Sequence, residues 1–229
     1  MLAFIDAVAA DLERLGFRGV FTGASTLPLL VTDSAVRGVL RQTKDVDVIV
    51  LVGDLSEYQG LQAGLRRLGY EDRLSEESPM CRLWREDVPV DLMPCPDHGV
   101  GTDNRWFQPG SSNPARVELP TGRQIAMLSP VYFAAAKIDA FRNRGGLDGA
   151  LDWYGAPDLE DLLALVDGLP SFAHQVAAAP EAVAQHLREW AKELLARPDA
   201  RDILAGNASS PGRAQILRAR LLELSEAPN

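Results

Sequence analysis

The run DVDVIVLV, residues 45 to 52, constrains this chain more than any other stretch. Near-continuous valine, isoleucine and leucine is the pattern of a strand buried on both faces, yet two aspartates one residue apart stand at its head. Side chains on a strand alternate, so Asp45, Asp47, Ile49 and Leu51 point one way and Val46, Val48 and Val50 the other. Two carboxylates side by side at a buried strand are costly without a positive partner. They either meet water at a loop-to-strand junction or hold a cation such as Mg²⁺ against substrate phosphates.

The chain has 229 residues and a formal net charge of −9. That length suffices for one substantial domain or two modest ones. The acidic balance argues against holding long nucleic acid by bulk electrostatics, while leaving room for a local basic cleft built from few residues. Cys81 and Cys95 are too few for a disulfide framework and fit a reducing compartment. The apolar runs fall short of the roughly 20 residues of a membrane span, and MLAFIDAVAADLERLG reads as an amphipathic helix, so a cytoplasmic protein without a membrane partner is expected.

Phe4, Ile5, Val8, Leu12 and Leu15 define the first helix, which stops at Gly16. RGVFTGAST then reads as a strand entering a glycine turn, followed by a helical TLPLLV, the DVDVIVLV strand and a helix over SEYQGLQAGLRRLG. Three strand-like runs follow, YEDRLS, PMCRLWRE and VPVDLMPC. From Cys95 to about Asn113 the composition of Gly, Pro, Ser, Asn and Asp predicts a long exposed loop, and VELPTGRQIAMLS predicts a hairpin through PTG. Everything after Ser129 is helical in pattern. The order predicts an α/β (α+β) domain with a mixed sheet over residues 1–120, followed by an all-helical C-terminal domain over 121–229.

Other residues join the two aspartates. Asp91 interrupts the apolar strand PVDLMP and can be a third oxygen ligand or a general base. Gly23, Ala24 and Ser25 form a turn between strand and helix where backbone N–H groups and a hydroxyl can meet a triphosphate, although a plain turn with an N-cap needs no ligand. Lys137 lies four residues after Phe133 and four before Phe141, on the apolar line of its helix. It therefore snorkels at the core's rim, pairs with an acid such as Asp161, or meets an anionic substrate. Arg142 belongs to a small basic knot with Arg144. Asp158 and Asp161 have the spacing of a reciprocal helix cap.

Taken in order, GAS, RQTKDVDVIV, PVDLMPC, SPVYFAAAKIDAFRNRGG and PDLEDLLALVDG resemble the nucleotidyltransferase-fold proteins of the AbiEii/AbiGii and MenT toxin type, over about residues 19 to 168. The resemblance implies a nucleotidyltransferase fold whose helical domain completes the active-site cleft. It also implies transfer of a nucleotidyl group from an NTP to an acceptor hydroxyl or phosphate, with release of pyrophosphate. The acceptor would be RNA for a toxin, and an antitoxin protein would be a partner. On this chain the resemblance assigns Asp45 and Asp47 to the metal, Mg²⁺ or Mn²⁺, and Gly23, Ser25 and Lys137 to the nucleotide. Arg41 and Thr43 match the polar residues ahead of D-x-D, and Asp158 or Asp161 the late acidic motif. Two departures stand out: the first motif is Gly-Ala-Ser where many relatives have Gly-Gly or Gly-Ser, and Pro157 stands where a basic residue or histidine is expected.

The competing reading from another class is a non-catalytic nucleotide-binding or partner-binding module on the same fold. Three aspartates and a lysine on apolar faces favour the enzyme, because a module freed from catalysis has no physical reason to keep them. A zinc protein built on Cys95 and His98 lacks ligands, since Cys-x-x-His is half a site.

Overall fold

Helix α1, Leu2–Arg14, buries Ile5, Val8, Ala9 and Leu12, the three-to-four spacing of a single apolar stripe. Gly16, at φ 81°, ends it in the left-handed region where glycine is favoured. The structure, a computed structural model, describes residues 1–73, 79–100, 102–144 and 151–227. After α1 come β1 (Gly19–Thr22), a 3-10 turn at Ala24–Thr26, α2 (Leu27–Leu30), α3 (Ser34–Arg37), β2 (Val46–Leu51), α4 (Leu55–Arg67), β3 (Tyr70–Glu71), β4 (Arg82–Arg85) and β5 (Val88–Cys95). Then follow α5 (Phe107–Ser112), β6 (Ala115–Glu118), β7 (Gln124–Met127), α6 (Pro130–Asn143), α7 (Pro157–Gly168), α8 (Phe172–Ala177), α9 (Glu181–Ala196), α10 (Ala200–Asn207) and α11 (Pro211–Glu226). Two units emerge: Met1–Thr26 with Gln42–Ser129, and Leu27–Arg41 with Pro130–Asn229.

The first unit is built on a mixed seven-stranded sheet in the order β3-β4-β5-β2-β1-β7-β6. The pairs β2–β5 and β1–β7 are parallel and the others antiparallel. Register sorts the side chains into two faces. Val46 and Val48 of β2 stand beside Val90 and Leu92 of β5, and all four are fully buried. Helix α1 closes on this apolar face at Gly19, where a Cβ would lie 2.8 Å from Leu12 Cδ1 and 2.7 Å from Val48 Cγ2. Tyr58 of α4 donates its hydroxyl to the Leu92 carbonyl at 2.8 Å. The opposite face carries a polar row, because Thr22 pairs with Asp47, Asp47 with Asp91, and Asp91 with Arg82.

The expected exposed loop from Cys95 to Asn113 needs correcting. It contains α5 and buries Trp106. The Asp97 carboxylate organises its start, accepting from the Gly99 amide at 3.1 Å, the Thr102 amide at 2.6 Å and the Thr102 hydroxyl at 2.9 Å. A boundary after residue 120 is also displaced. It falls in the turn of the β6–β7 hairpin, whereas β7 is a sheet strand paired with β1, so the first unit runs on to Ser129.

The second unit is helical and takes in the segment Leu27–Arg41. The tie is both apolar and polar: Leu27, Leu30, Val31 and Val36 are buried, and the Thr32 and Asp33 amides donate to the Gly168 carbonyl at 2.9 and 3.0 Å. Arg213 of α11 also clasps Asp33 at 2.8 Å and Asp167 of α7 at 2.7 Å, and donates to the Asp167 carbonyl at 2.8 Å. The Arg213 guanidinium holds the Asp33 carboxyl below its ordinary value of 3.8. The contribution of that pair is therefore complete above the ordinary value and lost as the pH falls through the lowered one.

Replacing Arg213 with leucine leaves buried Asp167 only the longer, 3.8 Å pair with Arg220. We expect Arg213→Leu to lower unfolding stability by about 2–3 kcal/mol in urea titrations at pH 7, and by clearly less at pH 3. An unchanged midpoint at pH 7 would show that the clasp contributes nothing.

Candidate functional site

Strand β2 starts at Val46, so Asp45 sits just before it and Asp47 is its second residue. Both lie on the polar face, and the parallel register brings Asp91 of β5 beside Asp47. Each of the three carboxylates offers an oxygen, and these atoms lie within 4.8 Å of one another. Three hard anionic donors converging in this way fit a divalent cation of the Mg²⁺ class.

Each carboxylate is positioned by a neighbour. The Thr43 hydroxyl donates to Asp45 Oδ1. Asp91, 9% exposed, is gripped from the adjacent strand by the Arg82 fork, Nε to Oδ1 and Nη2 to Oδ2, each at 2.7 Å. That pairing with Asp91 raises the Arg82 pKa above the ordinary guanidinium value. Asp47 is positioned by a glycine. Gly23 has φ 74°, and a Cβ built there would stand 1.8 Å from Asp47 Oδ2. Glycine at 23 is thus required by the carboxylate as well as by the turn.

The turn itself is closed by Thr26, whose amide and hydroxyl donate to the Gly23 carbonyl at 3.0 and 2.8 Å. Ala24 and Ser25 are buried within it, and the Ser25 hydroxyl has no partner among the described residues. An orphaned buried hydroxyl is unfavourable as it stands and is satisfied by any ligand that reaches it. Cys81, next to Arg82, is no nucleophile. Burial, reinforced by Asp91, pushes its thiol up to about 12.

A second constellation occupies the helical unit. Lys137 of α6 lies 2.8 Å from Asp158 Oδ1 and 2.8 Å from Asp161 Oδ2 of α7. Arg41 forks both oxygens of Asp161 at 2.7 Å, and Arg144 reaches Asp158 Oδ2 at 2.7 Å. Burial alone lowers the Lys137 pKa, but Asp161 and Asp158 outweigh it, and the net shift is upward. Lys137 is therefore an ammonium at neutral pH. The capping reading of Asp158 and Asp161 is corrected: the residue before α7 is Ala156, Pro157 opens the helix, and both aspartates turn inward to the cations. Arg142 is in an exposed pair with Glu193 at 2.5 Å.

No family model matches the chain, and no curated protein matches it. Among solved structures it is similar to an antigenic nucleotidyltransferase-like protein from Paracoccidioides brasiliensis, at 16% identity over 90% of this chain and 92% of that one, with a TM-score of 0.50. It is also similar, with a TM-score of 0.48, to the antibiotic-resistance factor ANT(2'')-Ia, at 13% identity over 85% of this chain and 93% of that one. The chain has a nucleotidyltransferase-like fold. Within that fold Arg82 joins the site, a residue that no local motif had singled out. The signal was present in CRLWREDVPVD, because a tight turn at Glu86–Asp87 sets Arg85 opposite Val88 and therefore Arg82 opposite Asp91.

Gly16 and Gly23 share a positive φ, but a Cβ at Gly16 meets nothing within 4 Å. Gly16→Ala therefore carries only the left-handed backbone penalty, about 1–2 kcal/mol, whereas Gly23→Ala must also displace Asp47. We expect Gly23→Ala to destabilise by at least about 1 kcal/mol more than Gly16→Ala in denaturant titrations. Equal losses would show that Asp47 does not depend on the missing Cβ.

Proposed function

We propose that this protein is a metal-dependent nucleotidyltransferase that uses an NTP and releases pyrophosphate. The observation that carries the reading is the convergence of Asp45, Asp47 and Asp91 on one polar row of a nucleotidyltransferase-like fold. These three residues would hold Mg²⁺ or Mn²⁺, which when bound supplies charge neutralisation at the phosphates. In the reaction the acceptor oxygen bonds to the α-phosphorus as the bridging P–O bond to the β-phosphate breaks. Pyrophosphate leaves with the electron pair, and the acceptor proton passes to a base, a role we give to Asp91.

The other residues bind and orient. The backbone of Gly23, Ala24 and Ser25, with the unpartnered Ser25 hydroxyl, would meet the nucleotide. Thr43 fixes Asp45 and Arg82 fixes Asp91. Lys137 and Arg41 would bind the triphosphate, and Asp158 and Asp161 would keep Lys137 charged and in place. Arg142 would add a weaker positive field. The ordered motifs support a place beside the AbiEii/AbiGii and MenT toxins, and with it a cytoplasmic enzyme acting on RNA and restrained by an antitoxin protein. No helix among the described residues is long and apolar enough to cross a membrane.

The test is incubation of the purified protein with each α-labelled NTP, Mg²⁺ and total RNA. We expect label in RNA for at least one NTP, reduced about 100-fold or more by Asp47→Asn, because several kcal/mol of charge stabilisation go with the metal. Lys137→Met is expected to weaken NTP binding about 10-fold or more. Metal-dependent NTP binding without transfer to any acceptor would instead select the non-catalytic module.

A further inference from the structure

A cavity of about 340 Å³ opens in the sheet unit around the start of β1, away from Thr22, the end that meets Asp47. Its apolar walls come from Leu12 and Phe17, from Phe21 of β1 and from Ile125 of β7. Its polar groups fall into two sets. Glu13 is already bonded to Arg123, and Gln124 donates to Glu118 at 2.8 Å. Arg18, Arg116 and Ser111 are uncommitted. Neither guanidinium has an ion pair or hydrogen bond among the described residues, and the Ser111 hydroxyl is buried without a partner. Ser111 itself is 8% exposed.

The chain carries 32 acids against 23 bases, and several arginines of this unit are matched to an acid, as Arg66 is to Asp72 and Arg123 to Asp6. Arg116 lies in one cross-strand row with Ala126 and Val20, and Arg18 immediately precedes β1. With Glu13 neutralised by Arg123, the lining keeps two positive charges. Guanidinium groups match carboxylate and phosphate oxygens, and apolar walls with a few convergent polar groups are the make-up of a small-molecule site.

We propose that this cavity binds a small amphipathic anion, an apolar body bearing one carboxylate or phosphate. The head group lies between Arg18 and Arg116, the body lies against Val20, Leu51 and Pro114 of the same lining, and the Ser111 hydroxyl gains its missing hydrogen bond. At the roughly 30 Å³ that a water molecule occupies in the liquid, the volume admits a ligand on the order of ten non-hydrogen atoms. This site is separate from the aspartate cluster, and its binding needs neither metal nor NTP.

The experiment is calorimetric titration of the full chain in metal-free buffer with phenyl phosphate and with benzoate, against phenol and inorganic phosphate. We expect one or both aryl anions to bind with a submillimolar Kd, the tighter one identifying the head group, with phenol and inorganic phosphate at least 10-fold weaker. Arg18→Gln and Arg116→Gln replace exposed side chains, and each is expected to weaken the aryl anion about 10-fold without changing the melting temperature of the free protein. Ser111→Ala is expected to weaken it by a smaller factor. The proposal is overturned if neither aryl anion binds, if inorganic phosphate binds as tightly, or if the double arginine variant binds unchanged.

Discussion

Two carboxylates in register on adjacent parallel strands set the terms for the rest of the sheet unit. Parallel neighbours lie about 4.8 Å apart, and Asp47 and Asp91 occupy one step of the β2–β5 ladder, with Asp45 two residues earlier on the same side. Unit charges at the 4.8 Å limit of the cluster repel by roughly 3 kcal/mol at an effective dielectric near 20. The opposite face keeps this arrangement from slipping. Val46, Val48, Val90 and Leu92 are fully buried there, and a one-residue shift would carry the acids into the apolar core. Hydrophobic burial thus holds together charges that would otherwise separate.

The molecule offsets the repulsion in part. Arg82 neutralises Asp91 from β4, Thr43 donates to Asp45, and Gly23 leaves room for Asp47. The three carboxylates present hard anionic oxygens within 4.8 Å of one another, a donor set that fits a divalent cation. The helical unit carries a second charged cluster. Lys137, Arg41 and Arg144 surround Asp158 and Asp161, three cations to two anions with the aspartates buried. Such a network is stabilising only when complete, since removing one member strands another charge in low dielectric.

The sequence made the strand at residues 45–52 legible because its period and its two acids conflict unless a site is present. Asp91 was legible for the same reason, as a charge in an apolar run. The helices after Ser129 followed from their 3.6-residue periodicity. What the sequence hid was pairing across distance. Arg82 is a surface-pattern arginine until β4 and β5 are aligned, and Leu27–Arg41 reads as the continuation of the first domain until its amides are traced to Gly168 and its arginine to Asp161. Local pattern reports which residues are costly, and only the ladder and the ion pairs report what they meet.

The central claim, that Asp45, Asp47 and Asp91 together hold a cation against a nucleotide, is tested most directly by a crystal structure with Mn²⁺ and a non-hydrolysable NTP. Anomalous scattering locates the metal independently of any assay. The account predicts an Mn²⁺ peak bound by oxygens of all three aspartates and in contact with the bound triphosphate. A nucleotide bound elsewhere, or an Mn²⁺ peak away from these carboxylates, would contradict it.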